Sequence, residues 1–235
     1  MKKQWLTDNL MIAGRSGSGK SYHFEHTILP KLVKNDWRQI IILDMKGQYK
    51  FGAIVDINDI ENPMHLAEIA IGKHTKRKNG KLRPPRIITI VSRDYHVEQI
   101  ENIFAYLNRT KNKIFVMEEA AFYFEDLKGR TIPPETKFYI RCSTGPHNKN
   151  NNMILITQYP NDVPSTFINM FGKGRIFYLP PKAIDYLCSK YFIADKRDEV
   201  LKEISPLGSW KWYDIEKSMK EGLSDGSGKD EQEGT

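Results

Sequence analysis

Residues 9–21, NLMIAGRSGSGKS, join a short apolar run to a glycine-rich turn, and residues 21–33 continue as a helix predicted to end near Asn35. The order is strand, loop, helix. Within it GRSGSGKS, residues 14–21, fills every fixed position of the pattern GxxxxGK[ST]. Such a loop wraps its backbone amides around an anion, and Gly14, Gly17 and Gly19 give the chain freedom to do so. The positive end of the following helix adds to the attraction. Lys20 places a point charge near the β and γ phosphates of a nucleoside triphosphate, and the Ser21 hydroxyl can ligate magnesium. Arg15, Ser16, Ser18 and Tyr22 complete the expected cofactor-binding set, for ATP with Mg2+. The competing reading is a chance glycine-rich turn, and the strand and helix on either side weigh against it.

Beyond this loop, the run IIIL within residues 39–44 suits a strand covered on both faces of a parallel sheet. Further strands are predicted at 87–91, 114–117, 153–157 and 175–179. The clearest helix is 97–107, with Ile100, Ile103, Phe104 and Leu107 on one face. This alternation predicts an α/β fold, a doubly wound and mainly parallel sheet flanked by helices, with nucleotide at the carboxyl ends of the strands.

A chain of 235 residues accommodates one such domain, expected over 1–221. The polar run GLSDGSGKDEQEGT, 222–235, lacks the apolar content to offset ordering entropy and is expected to be a disordered tail. Hydrophobic residues at 40% and charged residues at 28% exclude fibrous and wholly disordered classes. No apolar run approaches the roughly 18 residues of a membrane span, and the amino terminus is too polar for a secretory signal. A cytoplasmic protein without stable membrane insertion is expected. Cys142 and Cys188 form no CxxC pair and have no histidine cluster at zinc spacing, so they read as packing residues. The net charge of +7 favours a polyanionic partner, although such a balance is common among proteins that touch no nucleic acid.

The segment KIFVMEEAAF, 113–122, supplies two adjacent carboxylates after an apolar strand. Glu118 stands where a magnesium-organising carboxylate is needed, and Glu119 where a base would polarise the attacking water. The alternative makes both of them helix-start carboxylates favoured by the macrodipole. Two more strand ends carry LDMKGQY, 43–49, and ILITQYP, 154–160. Gln158 at the second can sense the γ-phosphate, or can be a hydrogen-bonded turn residue.

These four segments, in this order, resemble the FtsK and HerA superfamily of DNA-pumping ATPases. That superfamily includes viral genome-packaging ATPases, conjugative coupling proteins and filamentous-phage assembly ATPases. Glu118 is one methylene longer than the aspartate usual in such proteins, which leaves the division of labour between Glu118 and Glu119 open. The resemblance implies a ring of copies, commonly a hexamer, in which a neighbour inserts an arginine to stabilise the transferring phosphoryl group. Arg141 and Arg175 are the candidates, each with a purely structural role as its alternative. Members often carry a basic residue just before the TQ strand, where this chain has Pro146, His147 and Lys149.

The implied function is an ATP-driven translocase that packages double-stranded DNA into a preformed capsid. It would meet a capsid or portal protein at a packaging vertex in the host cytoplasm. A plasmid, conjugative or filamentous-phage ATPase of the same superfamily is the nearer alternative. A P-loop kinase or nucleotide switch that never touches DNA is the more distant one.

Residues 73–86, KHTKRKNGKLRPPR, hold seven lysines and arginines and read as an exposed loop. Lys73, Lys76, Arg77, Lys78, Lys81 and Arg83 are expected to make sequence-independent phosphate contacts, with a solvated surface hairpin as the alternative. A polar loop at 147–152 can also face a ring channel. Near the carboxyl end, PLGSWKWYDIEK, 206–217, alternates Trp210, Trp212 and Tyr213 and is predicted to be a strand or strap packed on the domain. Its alternative is a platform for single-stranded bases.

Overall fold

The computed structural model describes residues 4–71, 85–92, 97–127, 131–143, 149–191, 193–204 and 211–216. The chain alternates β1 (Leu10–Ala13), a helical segment over 20–35, β2 (Gln39–Asp44), β3 (Ala53–Asp56), α3 (Pro63–Ile71), β4 (Ile87–Val91) and α4 (Val97–Arg109). There follow β5 (Lys113–Glu118), α5 (Ala120–Asp126), α6 (Pro134–Ser143), β6 (Asn152–Thr157), α7 (Ser165–Ile168) and β7 (Lys173–Ile176). The last elements are α8 (Pro181–Lys190), α9 (Arg197–Ile204) and β8 (Tyr213–Glu216). One sheet has the order β3-β4-β2-β5-β6-β1-β7-β8. All of its pairings are parallel except β7 with β8.

Side chains alternate across the sheet, and two apolar layers follow from that alternation. Leu10, Ile12, Ile40, Ile42, Ile114, Val116, Ile154 and Ile156 face the helix over 20–35 and pack with Phe24, Ile28, Leu29 and Leu32. Met11, Ile41, Leu43, Phe115, Met117, Met153 and Leu155 face the opposite way and meet Ile100, Ile103, Phe104 and Leu107 of α4. The apolar face predicted for that helix is therefore the buried one.

The first helix is not uniform. It starts as α1 (Lys20–His23), passes through a π turn (Phe24–Ile28) in which the Leu29 amide donates to the Phe24 carbonyl, and ends as α2 (Leu29–Asn35). Asp36 is extended, at φ −124 and ψ 144, and stops it.

Three details depart from the sequence expectation or refine it. β3 has no counterpart among the expected strands; it is an edge strand whose Ile54 is exposed, so no buried run marks it. β7 is Lys173–Ile176 rather than 175–179, because past Ile176 the chain leaves the ladder and braces the glycine-rich loop. The strap near the carboxyl end contains a strand, β8, antiparallel to β7 with Asp214 opposite Arg175.

Register places the functional ends together. Ala13 is level with Thr157 on one side and Ile176 on the other; Glu118 is level with Ile156, and Leu43 with Met117. The loops after β1, β2, β5, β6 and β7 thus emerge at one end of the sheet. No helix among the described residues is long and apolar enough to cross a membrane. Cys142 and Cys188 are free thiols, the latter buried. The tail over 222–235 lies outside the described residues.

Candidate nucleotide site

The glycine-rich loop hangs between two strands. The Gly14 amide donates to the Thr157 carbonyl at 3.2 Å, and the Arg15 amide donates to the Tyr178 carbonyl at 2.7 Å. A Cβ on Gly14 would lie 2.6 Å from both the Phe177 Cβ and the Ser18 Oγ, so no larger residue fits. Gly19 has φ 94 and ψ 6, the left-handed conformation that glycine adopts without steric cost, and it caps α1. Arg15, Ser16, Gly17 and Tyr22 are exposed along the loop and first turn. Lys20 is buried, its Nζ donating to the Arg15 carbonyl at 3.1 Å. Burial lowers its pKa to about 8, against the attraction of the Glu119 carboxylate.

The two carboxylates at the end of β5 have different neighbours. Ser21 Oγ donates to Glu118 Oε1 at 2.9 Å, joining the loop's hydroxyl directly to the strand. Gln48 Nε2 reaches the same oxygen at 2.5 Å, and the Tyr49 hydroxyl reaches it at 3.4 Å. Burial, helped by the charges of Asp44 and Glu119, raises the Glu118 carboxyl to about 7, although the Ser21 hydrogen bond and Lys46 pull the other way.

At Glu119 the backbone turns left-handed, with φ 50 and ψ 43. That conformation costs a non-glycine residue about 1–2 kcal/mol. Its Oε1 accepts from Lys46 Nζ at 2.7 Å and from Gln158 Nε2 at 2.5 Å. The adjacent carboxylates thus serve separate networks, one tied to the loop's serine and the other to the glutamine after β6.

Lys46, Gln48 and Tyr49 have no role in the sequence reading beyond membership of LDMKGQY. Asp44 explains their placement. It is fully buried and accepts from the Lys46 amide at 3.1 Å and the Tyr49 amide at 2.7 Å, closing the turn that lays these side chains on both glutamates. The signal available in sequence was a polar cluster at the end of a strand beside β5.

Magnesium prefers hard oxygen ligands and keeps phosphate and water in its shell, so one hydroxyl and one carboxylate suffice from the protein. Ser21 Oγ and Glu118 fit that requirement. Glu118 Oε2 is buried without a hydrogen-bond partner and is available as a ligand. Among the described residues no group of three or more acidic, histidine or cysteine side chains forms a metal cluster, so the fit is to a shared, phosphate-bound ion. Beside the loop, a cleft of about 790 Å³ is lined by Arg15, Ser16, Gln158, Tyr159, Pro180 and Lys182 among others.

The arginine candidates are placed differently. Arg175 is engaged within its own chain: Nε donates to Asp214 Oδ1 at 2.7 Å, and Nη1 lies 2.6 Å from His23 Nε2. Burial, then the Arg175 charge, pushes His23 down to about 4, so its ring is neutral at physiological pH and accepts that hydrogen bond. Arg141 is exposed in the last turn of α6, which packs on α4. Lys73, Lys76, Arg77, Lys78, Lys81 and Arg83 lie outside the described residues, as do Pro146 and His147. Arg86, the last cation of the basic run, is part of the fold and donates to the carbonyls of Leu32 and Asp36.

The family described as the helicase HerA central domain matches residues 2–156, more than half of the chain. The chain belongs to that family. This HerA-type protein is an ATPase of the HerA and FtsK class, and its fold recurs in solved relatives. The genome packaging NTPase B204 of Sulfolobus turreted icosahedral virus 2, in complex with ATP-gammaS, superposes at a TM-score of 0.62 with 18% identity, covering 90% of this chain and 92% of its own. VirB4 of Thermoanaerobacter pseudethanolicus gives 0.51 with 11% identity, covering 81% and 82%. The conjugation coupling protein TcpA of pCW3, in its monomer form with ATPgS, gives 0.53 with 15% identity, covering 89% of the HerA-type chain and 60% of TcpA. No curated protein sequence matches it.

Proposed function

We propose that this HerA-type ATPase is the motor that pumps double-stranded DNA into a preformed viral capsid. One observation carries the motor reading: Glu119 Oε1 is shared by Lys46 and Gln158, so the group placed to activate water is bonded to two strand-end loops. A phosphotransferase has no need of a water-activating base wired in this way. The near-complete mutual coverage with a genome packaging NTPase supports the packaging role over conjugation.

The loop amides and Lys20 bind and orient the triphosphate, as an ammonium and a ring of dipoles at a helix start do best. Ser21 and Glu118 would hold magnesium, which would supply neutralisation of the charge on the triphosphate. Glu119 takes a proton from the attacking water through the carboxylate that Lys46 and Gln158 orient. Gln158 then passes loss of the γ-phosphate to the segment after β6.

Copies assemble as a ring, with a hexamer as the superfamily form. Arg141, exposed, is the arginine offered to a neighbour, since Arg175 is committed within its own chain. Lys73, Lys76, Arg77, Lys78, Lys81 and Arg83 contact DNA phosphates irrespective of sequence. The capsid or portal vertex is the docking partner, reached from the host cytoplasm.

The test is ATP hydrolysis with and without duplex DNA, beside a panel of small phosphate acceptors. Strong stimulation by DNA is expected. Stimulation by an acceptor alone, with indifference to DNA, overturns the motor reading. Particles assembled without this protein should be empty; filled particles would remove the packaging role and leave the ATPase in place.

A further inference from the structure

Trp212 stands out as an aromatic side chain that the site described above does not use. It precedes β8, and Tyr213 is level with Ile176, so Trp212 lies beyond the carboxyl end of β7 and beside Phe177. Because Ile176 is in turn level with Ala13, the indole is at the same end of the sheet as Gly14. Its ring is 4.3 Å, centroid to centroid, from that of His23, in the first turn of the phosphate-binding helix. Phe177 lies at 6.0 Å and the Arg175 guanidinium at 5.7 Å from the same ring. Despite these contacts, 41% of Trp212 is exposed. A core residue would be covered. This one is fixed on some sides and open on another.

The sheet order says which part of a nucleotide comes near it. Lys46, Glu119 and Gln158 follow β2, β5 and β6, strands that all lie on one side of β1, and they mark the γ-phosphate end of the site. β7 and β8 lie on the other side of β1. A triphosphate laid across the loop with its γ-phosphate toward the carboxylates must direct its nucleoside toward β7 and β8.

We propose that Trp212 is the platform on which the purine base of the bound nucleoside triphosphate stacks. The proposal rests on residues 14–21 being the triphosphate site. It gives Arg175 a positioning role: pinned by Asp214 across the ladder and bonded to His23, it holds the indole in place before nucleotide arrives. Stacking is tolerant of base identity because every base has a π-face, and a purine offers more area than a pyrimidine. ATP and GTP therefore bind alike, and CTP more weakly.

Full-length wild type, Trp212→Ala and Trp212→Phe are compared by calorimetry with ATPγS and with inorganic tripolyphosphate, which carries phosphates but no base. Trp212→Ala should weaken ATPγS roughly ten- to hundredfold, leave tripolyphosphate within about twofold, and be largely rescued by phenylalanine. In wild type, ATPγS should quench tryptophan emission, and Trp212→Phe should lose that quenching.

Unchanged ATPγS affinity in a folded Trp212→Ala protein overturns the proposal. So does equal weakening of both ligands, which would make Trp212 a support for the loop, or loss of single-stranded DNA binding with nucleotide affinity intact. Wild type that binds neither ligand would instead refute the triphosphate site itself, and the base platform with it.

Discussion

Glu119 holds a nearly fully buried carboxylate between the Lys46 ammonium and the Gln158 amide, on a backbone conformation that disfavours any side chain. Glu119→Gln keeps the shape and removes the base. It should bind ATPγS with wild-type affinity while phosphate release falls at least a hundredfold; a normal rate would remove Glu119 from that role. Lys20→Ala should lose triphosphate binding and hydrolysis together, as read by calorimetry and phosphate release. Gly14→Ala adds a methyl where Phe177 and Ser18 already stand, so the loop must shift, and both nucleotide affinity and melting temperature should drop.

At this scale the pattern GxxxxGK[ST] made Lys20 and Ser21 legible, because the chemistry of an anion loop is local. Lys46 was not, since it is 73 positions from Glu119 and only the turn built on Asp44 brings them together. The left-handed Glu119 is equally invisible in sequence, where nothing distinguishes it from a strand residue.

Among the elements, the end of the sheet away from the loop has its own anchor. Arg38 is fully buried and paired with Asp36 at 2.8 Å; it also donates to the Leu6 carbonyl and the Asn152 side chain. It ties the lead into β1, the end of α2 and the start of β6. Burial alone would raise the Asp36 carboxyl, but hydrogen bonds from the Arg38 side chain and from the amides of Arg38 and Leu6 outweigh it and hold the group below its ordinary 3.8. The folded pKa is thus below the unfolded one. The pair's contribution is fully present above pH 3.8 and is lost as the pH falls toward the folded value.

Asp36→Ala leaves Arg38 buried without its carboxylate and should cost about 3–5 kcal/mol at neutral pH. Its loss of stability on acidification should be shallower than that of wild type in thermal melts. Helix α4 and the central strands were readable because each buries a periodic apolar face. β3 was not, since an edge strand with an exposed isoleucine follows no such rule, and β7 was displaced because its polar start, Lys173 and Gly174, hides a strand held by its partners.

For the whole molecule, the net charge of +7 is a statement about partners rather than fold. Neutralising Lys73, Lys76, Arg77, Lys78, Lys81 and Arg83 should weaken duplex binding and flatten its salt dependence, by up to about 0.9 in log–log slope for each phosphate no longer neutralised. Unchanged affinity and slope would leave the run as surface. Glu119→Gln with ATP should sediment as a closed ring, whereas a strict monomer in every nucleotide state would contradict assembly. Sheet class and family were accessible because ordered strand-end motifs report on topology. The setting of Arg175 was not, and the Arg175–Asp214 pair shows why: an arginine's role depends on what stands opposite it after folding.

The π turn at Phe24–Ile28 sets a phase angle. Each α-helical residue advances the chain by about 100°, and the π turn takes up one extra residue within the same turn, so the leading end of the helix keeps its facing relative to its anchored end. Leu29 and Leu32 are gripped by the apolar layer, while Ser21 and His23 must face Glu118 and Trp212. Deleting Glu25 removes the surplus residue and keeps their facing, whereas forcing the same residues into a regular α-helix with none deleted would swing those two side chains away from their partners by about a quarter of a revolution. The fold would persist, but the lock between loop and sheet would be lost.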